Sequence, residues 1–193
     1  VVPTPTLRSD RLLLRPFEER DREDLVRLQS DAEVLRYWDS PPWTDPARAT
    51  AFLQRCRELE AEGTGARVVV ERVEDGAFVG WCSFVGYDDT HRSATVGYCL
   101  TQAAWGHGYA TEATRALLDW AFGAFARLHR VQAEIDTRNA PSGRVLEKLG
   151  FRREGTLRED CWVAGEVSDT HVYGLLRGEL SSVERESESV SAP

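Results

Sequence analysis

Ser93 to Thr111 reads SATVGYCLTQAAWGHGYAT, and its two ends ask for different structures. From Ser93 to Leu100, the residues Ala94, Val96, Tyr98 and Leu100 recur at every second position, the period of a strand with one face turned inward. After a short loop, Trp105-Gly106-His107-Gly108-Tyr109-Ala110-Thr111 leads into a segment where Ala113, Leu117, Ala121 and Phe125 recur at helical spacing. A helix is therefore expected from about Tyr109 to Phe125. The first turn of a helix carries unpaired N–H groups and the positive end of the helix dipole. Gly106 and Gly108 have no side chain to hold an anion away from those amides, and Ala110 is small. The unit reads as an anion cradle able to take a pyrophosphate. A lone G-x-G is also what a turn needs for backbone reasons alone. Other nucleotide loops fit worse, because the chain has neither G-x-x-x-x-G-K-[ST] nor G-x-G-x-x-G.

On the N-terminal side of this unit, Arg11 to Phe17 (RLLLRPF) is expected to be a strand and Asp21 to Gln29 a short helix. Pro41 and Pro42 exclude regular structure from Tyr37 to Trp43. Asp45 is placed to cap a helix that begins near Pro46 and stops at Gly63. Ala66 to Val73 and Phe78 to Val85 flank Asp75-Gly76, a hairpin signal. On the C-terminal side, Arg130 to Thr137 alternates as a strand, with Val131, Ala133 and Ile135 inward. Pro141 to Leu149 is a short helix ended by Gly150, and Phe151 to Trp162 and Asp169 to Leu176 are further strands. The order gives an α+β (α/β) fold with a mixed central sheet of about seven strands flanked by four helices. Residues 1–180 form the expected domain, and 181–193 an acidic, disordered tail.

Composition narrows the function. With 193 residues, 41% hydrophobic and 29% charged, the chain can bury a core. No apolar run approaches the ~20 residues that span a bilayer, and no leader-like segment opens the chain, so the cytoplasm is expected and a membrane partner is not. A net charge of −8 argues against nucleic-acid binding and mildly for a cationic partner. Cys56, Cys82, Cys99 and Cys161 are dispersed, as are the histidines, so no metal site or disulfide framework is expected.

Several stretches together resemble the GNAT N-acetyltransferase superfamily, most closely its ribosomal-protein (RimJ/RimL-like) branch. They are SDRLLLRPF at Ser9–Phe17, VGYCL at Val96–Leu100, WGHGYATEA at Trp105–Ala113, NAPSGRVLEKLGF at Asn139–Phe151, Glu154-Gly155, and the strand Asp169–Leu176. The superfamily's pattern [RQ]-x-x-G-x-[GA] falls on Trp105, Gly108 and Ala110. Trp105 departs from the usual Arg or Gln, though Trp is common in that branch. His107 stands where Lys or Arg is frequent, which would make phosphate affinity depend on pH.

The resemblance implies an acetyl-CoA-dependent transfer of acetyl to a primary amine, with no metal. It implies that the strand ending at Leu100 and the one ending near Thr137 splay to admit the coenzyme's arm. Cys99, Leu100 and Thr101 would then bond that arm, a backbone N–H near Leu100 would polarise the thioester, and Trp105 to Thr111 would hold phosphate. Asn139 and Ser142 read from the residues alone as helix capping. By resemblance Asn139 contacts the coenzyme, and Ser142 hydrogen-bonds or protonates the departing thiolate.

The glutamate implicated as a base in that branch falls on Cys161. Glu159, two residues earlier and on the same expected strand face, is the substitute candidate; Asp160 sits on the opposite face, and Glu134 and Asp136 share the polar face of the preceding strand. Each is equally readable as a solvated surface carboxylate. Tyr37, Trp38, Asp39 and Trp43 either seal the core edge or line the acceptor site. Glu112 suits the helix dipole. The favoured acceptor is a protein N-terminal α-amine. The alternatives are a small-molecule amine (polyamine or antibiotic) and a non-catalytic acyl-CoA-binding module. The resemblance allows a homodimer, which no pattern in the sequence shows.

Overall fold

The computed structural model describes residues 2–180; the tail expected over 181–193 lies outside them. One sheet runs through the described chain in the order β1-β2-β3-β4-β5-β6-β8-β7. Its strands are β1 (Leu7–Arg8), β2 (Leu12–Pro16), β3 (Ala66–Arg72), β4 (Phe78–Asp88), β5 (Ser93–Leu100), β6 (Arg130–Asp136), β7 (Arg152–Val163) and β8 (Glu166–Leu176). The helices are α1 (Arg22–Gln29), α2 (Arg48–Glu62), α3 (Tyr109–Ala124) and α4 (Ala140–Leu149). The mixed sheet and four helices match the expected class.

The eighth strand is β1, which the sequence pattern missed. Two residues carry no periodicity; they pair because Ser9 turns the chain, its hydroxyl accepting from the Leu12 amide at 3.2 Å. Helix α2 starts later than its cap suggested. Asp45 Oδ1 accepts from the Ala47 amide at 2.9 Å, but residues 46 and 47 form a turn and the helix begins at Arg48.

The core lies in two parts. A larger cluster, including Phe84, Val96, Leu117, Leu118, Val131 and Leu146, sits under α3 and α4. A smaller one joins Leu25, Leu28, Leu53, Trp81 and Cys99 to Phe17, Trp38, Trp43 and Phe52 under α1 and α2. The two parts meet across the sheet at the end of β5, where Cys99 belongs to one and Leu100 to the other.

The parallel pair β5/β6 is joined only at Ser93↔Arg130, Ala94↔Val131 and Thr95↔Gln132. Beyond Thr95 the strands part. β4 follows β5 to Leu100, and β8 follows β6 to Asp136, so each half of the sheet stays intact while a wedge opens between them. At the β5 end, Gly80 lets β4 approach closely. A Cβ there would lie 2.1 Å from the Cys99 carbonyl oxygen and 2.8 Å from Leu100 Cα, at a φ of +149°. Gly80→Ala is therefore expected to destabilise the fold by at least about 3 kcal/mol, read as a lowered urea midpoint; an unchanged midpoint would show that the β4/β5 junction is loose.

Candidate active site

The wedge is the floor of a cleft of about 870 Å³. Thr95 to Leu100 form one side and Ala133 to Asp136 the other, with the loop before α3 and the first turns of α3 and α4 at its inner end. Beyond Thr95, the edge of β5 that faced β6 has no strand partner, so its backbone groups are available to an extended ligand.

The glycine loop forms as the sequence suggested. Gly106 and Gly108 take φ values of +77° and +79°, and Gly108 is the residue that caps α3. Glu112 is the first amide to bond back along the helix, to the Gly108 carbonyl at 3.1 Å, which leaves the amides of Tyr109, Ala110 and Thr111 without helical partners. Trp105, Gly106, Gly108, Tyr109, Ala110 and Thr111 line the cleft; the indole N–H of Trp105 donates to the Leu100 carbonyl at 3.0 Å, tying the loop to β5.

Two expected members of this set lie elsewhere. Thr101 is drawn toward β4, its amide donating to the Val79 carbonyl at 2.9 Å. His107 points outward and stacks on Tyr109, with ring centroids 5.5 Å apart. Neither lines the cleft.

The loop is held from outside by Arg11. Its guanidinium donates to the His107 carbonyl at 3.0 Å and to Glu112 at 2.8 Å, and it lies 4.8 Å over the Tyr109 ring. Glu112 also accepts from the Ser9 hydroxyl at 2.8 Å and the Arg11 amide at 3.0 Å. Burial pushes the Glu112 carboxyl up, but these donors outweigh it and hold it below its ordinary range. Its part is to brace the loop, with the helix dipole in support.

Across the wedge, Asn139 caps α4, accepting from the Ser142 amide at 3.2 Å. Capping thus accounts for Asn139, which also lines the cleft. The Ser142 hydroxyl lies 2.6 Å from the hydroxyl of Tyr98, which also bonds the Ser142 carbonyl at 3.2 Å. Tyr98 had shown in the sequence only as an inward strand position. Burial pushes its phenol well above the ordinary range, so it stays protonated and able to donate. Burial also pushes the neighbouring Cys99 thiol up to about 12, which keeps it neutral.

The outer end of the cleft is walled by Glu33, Tyr37, Trp38 and Asp39 on one side and by Asp160 and Cys161 on the other. Trp38 packs edge-on against Trp81 at 5.7 Å. Trp43 is not part of this wall. Its amide donates to the Gln29 carbonyl at 2.7 Å and its ring packs against Phe52, so it belongs to the smaller core.

Glu159 is also misplaced by strand alternation. The β7/β8 register shifts between Leu157 and Cys161, and Glu159 sits at a φ of +53° with its amide donating to Asp169 at 2.8 Å. A bulge of this kind re-aims the residues beside it. Glu159 is left in solvent, and Asp160 turns into the cleft next to Cys161.

The other cleft carboxylates are engaged. Glu33 is held by Arg36 at 2.5 Å and Glu134 accepts from Gln132 at 2.7 Å. Asp136 is buried, not solvated. Burial pushes its carboxyl up, but Arg138 and Ser168, both at 2.7 Å, hold it below its ordinary range. Among the described residues, Asp39 and Asp160 have no ion-pair partner.

Residues 11–152 match the family described as the acetyltransferase (GNAT) domain. The chain belongs to the GNAT family. It is 34% identical over 176 residues to the N-acetyltransferase p20 of Bacillus licheniformis, covering 91% of this chain and 98% of that one. The spermidine N(1)-acetyltransferase of Escherichia coli is 28% identical over 79% of each chain. Mycobacterium smegmatis RimJ, solved in complex with CoA-disulfide, is 30% identical with a TM-score of 0.77, over 89% of this chain and 84% of that one. This GNAT protein is an acetyl-CoA-dependent N-acetyltransferase. Among the described residues, no helix is long and apolar enough to cross a membrane and no acidic, His or Cys cluster could hold a metal.

The free α3 amides, the left-handed glycines and the unpaired edge of β5 suit a diphosphate on an extended arm. Gly108→Glu is expected to abolish CoA binding by calorimetry, while Gly108→Asn, which tolerates the left-handed region, keeps affinity within about tenfold. Equal losses would mean that backbone conformation alone matters there. The Glu112 brace carries a pH signature. Because its carboxyl is depressed in the folded state, its stabilisation is complete above the ordinary value of about 4.3 and is lost as pH falls through the folded value. Glu112→Gln is expected to flatten the fall in Tm between about pH 5 and pH 3; an unchanged slope would remove Glu112 from the acid response.

Proposed function

We propose that this GNAT enzyme, with residues 1–180 as its catalytic domain, acetylates the α-amine of a protein N-terminus. The observation that carries this reading is the outer half of the cleft, open between the Tyr37–Asp39 loop and the bulge of β7, with the unpaired carboxylates Asp39 and Asp160 facing in. An ammonium can sit between them while the chain behind it leaves through the opening. Likeness to RimJ supports the same acceptor class. An α-amine, with an ordinary pKa near about 8, gives up its proton more readily than an alkylamine near about 10, so a carboxylate with water suffices as the acceptor of that proton. Asp160 takes the place first given to Glu159.

Bound acetyl-CoA supplies the acetyl thioester. The α3 amides and the loop glycines hold its diphosphate, and the free edge of β5 from Val96 to Leu100 orients its arm. Ser142 hydrogen-bonds the departing thiolate, with Tyr98 donating to the serine oxygen from behind. That relay stabilises negative charge without asking a serine hydroxyl to act as a full acid.

A small polyamine is the second reading. It is favoured by the five carboxylates around the cleft (Glu33, Asp39, Glu134, Asp136 and Asp160) and by likeness to a spermidine acetyltransferase. Thiol release from acetyl-CoA, measured with short peptides bearing a free α-amine, spermine and an aminoglycoside, decides between them. The expected result is a kcat/KM for the best peptide at least about tenfold above the others, with Ser142→Ala lowering kcat at least about tenfold at near-constant CoA affinity. Preference for spermine would establish the second reading, and binding of acetyl-CoA without thiol release on any acceptor would leave only an acyl-CoA-binding module.

A further inference from the structure

A second, smaller groove of about 230 Å³ runs along another side of α4. Ser142, Val145 and Leu146 of that helix line the cleft; Gly143 and Glu147 line the groove instead. Arg144 joins them, and Arg153, His171 and Tyr173 form the facing wall on β7 and β8. At about 30 Å³ for each water-sized atom, the groove has room for roughly seven or eight non-hydrogen atoms.

The charges around it are held apart. Arg144 and Glu147 stand three residues apart on α4, the spacing at which Arg55 and Glu58 pair at 3.3 Å on α2. Glu147 instead accepts from the Tyr173 hydroxyl at 3.4 Å. Tyr173 is only 4% exposed, and a Cβ on Gly143 would lie 3.2 Å from its oxygen, so a side chain at position 143 would crowd it. On the facing wall, the bulge between Arg153 and Gly155 sends Glu154 over Gly174 to Arg130, at 2.7 Å. Arg153 is left opposite Tyr173, with its guanidinium 3.4 Å from His171 Nε2. Burial and Glu147 push the Tyr173 phenol above its ordinary range while Arg153 pulls it down, so both charges act on one oxygen. Among the described residues, none of Arg144, Glu147 and Arg153 enters an ion pair.

Two guanidinium groups and one carboxylate therefore face a common space without neutralising one another. A guanidinium fork suits a carboxylate, and Glu147 suits an ammonium beside it. A doubly negative ion would meet repulsion from Glu147, and a lone amine repulsion from the arginines. A carboxylate and an ammonium on one carbon meet neither.

We propose that this groove binds a free α-amino acid as a zwitterion, its carboxylate held by Arg144 and Arg153, its ammonium by Glu147, and its side chain toward solvent. Asn139 and Arg144 line both the groove and the cleft, so the ligand rests against the turn of α4 that carries Ser142 without entering the cleft.

Calorimetric titration of the full chain with L-alanine is expected to give a dissociation constant of about 1 mM or below, with acetate and methylamine each at least about tenfold weaker. An amino acid also carries an acceptor amine, so variants separate the two sites. Arg153→Ala and Glu147→Gln should each weaken alanine binding at least about tenfold, with CoA bound as by the wild type, whereas Asp160→Asn should leave alanine binding within about twofold. Absence of alanine binding below about 10 mM, equal affinity for acetate, or binding lost in Asp160→Asn but kept in Arg153→Ala overturns the proposal.

Discussion

The parting of β5 and β6 after Thr95 governs the rest of the molecule. Two parallel strands in a sheet ordinarily satisfy each other's backbone groups along their length. Here the pairing is abandoned after three residues on each strand, and each strand compensates through its outer neighbour. The wedge exposes a row of peptide groups inside an otherwise covered sheet, and both flanking helices begin at its rim. Their positive ends and the bare strand edge therefore converge on one channel, which is the arrangement a long ligand with anionic and amide parts requires.

An opening of this kind would weaken the sheet if nothing spanned it. The contacts that do so are polar and specific. Tyr98 reaches from β5 to Ser142 on α4, and Trp105 folds the glycine loop back onto Leu100. Arg11 and Glu112 fasten the same loop to the far strands of the sheet from the outside. Arg11 and Glu112 thus bind the coenzyme loop to the scaffold from outside the cleft, while Trp105 ties it down from the cleft wall.

Much of this was legible in the chain. The alternation of Ser93–Leu100, the glycines before Tyr109 and the Asn139–Gly150 helix each depend on local rules, and local rules carried over. What failed depended on a non-local event. Strand alternation put Glu159 beside Cys161, and it would have been right without the bulge; the left-handed backbone at Glu159 is fixed by Asp169 on the neighbouring strand, which no pattern within β7 announces. Trp43 was open to two readings, sealing the core edge or lining the acceptor site, and Phe52 on the following helix draws it to the core edge. Tyr98 was read as one more inward residue, because its partner lies more than forty positions away. The two-residue strand Leu7–Arg8 was simply too short to have a period.

The uneven division of the interior separates two kinds of evolutionary freedom. The larger cluster lies beneath the helices that present the coenzyme cradle, so changes there disturb a part every turnover needs. The smaller cluster lies under α1, α2 and the loop between them, which wall the outer end of the cleft, and it touches the sheet through Trp81 and Cys99. On the proposed reading, substitutions among its helix and loop residues can drift toward a new amine with little effect on the cradle that the larger cluster supports.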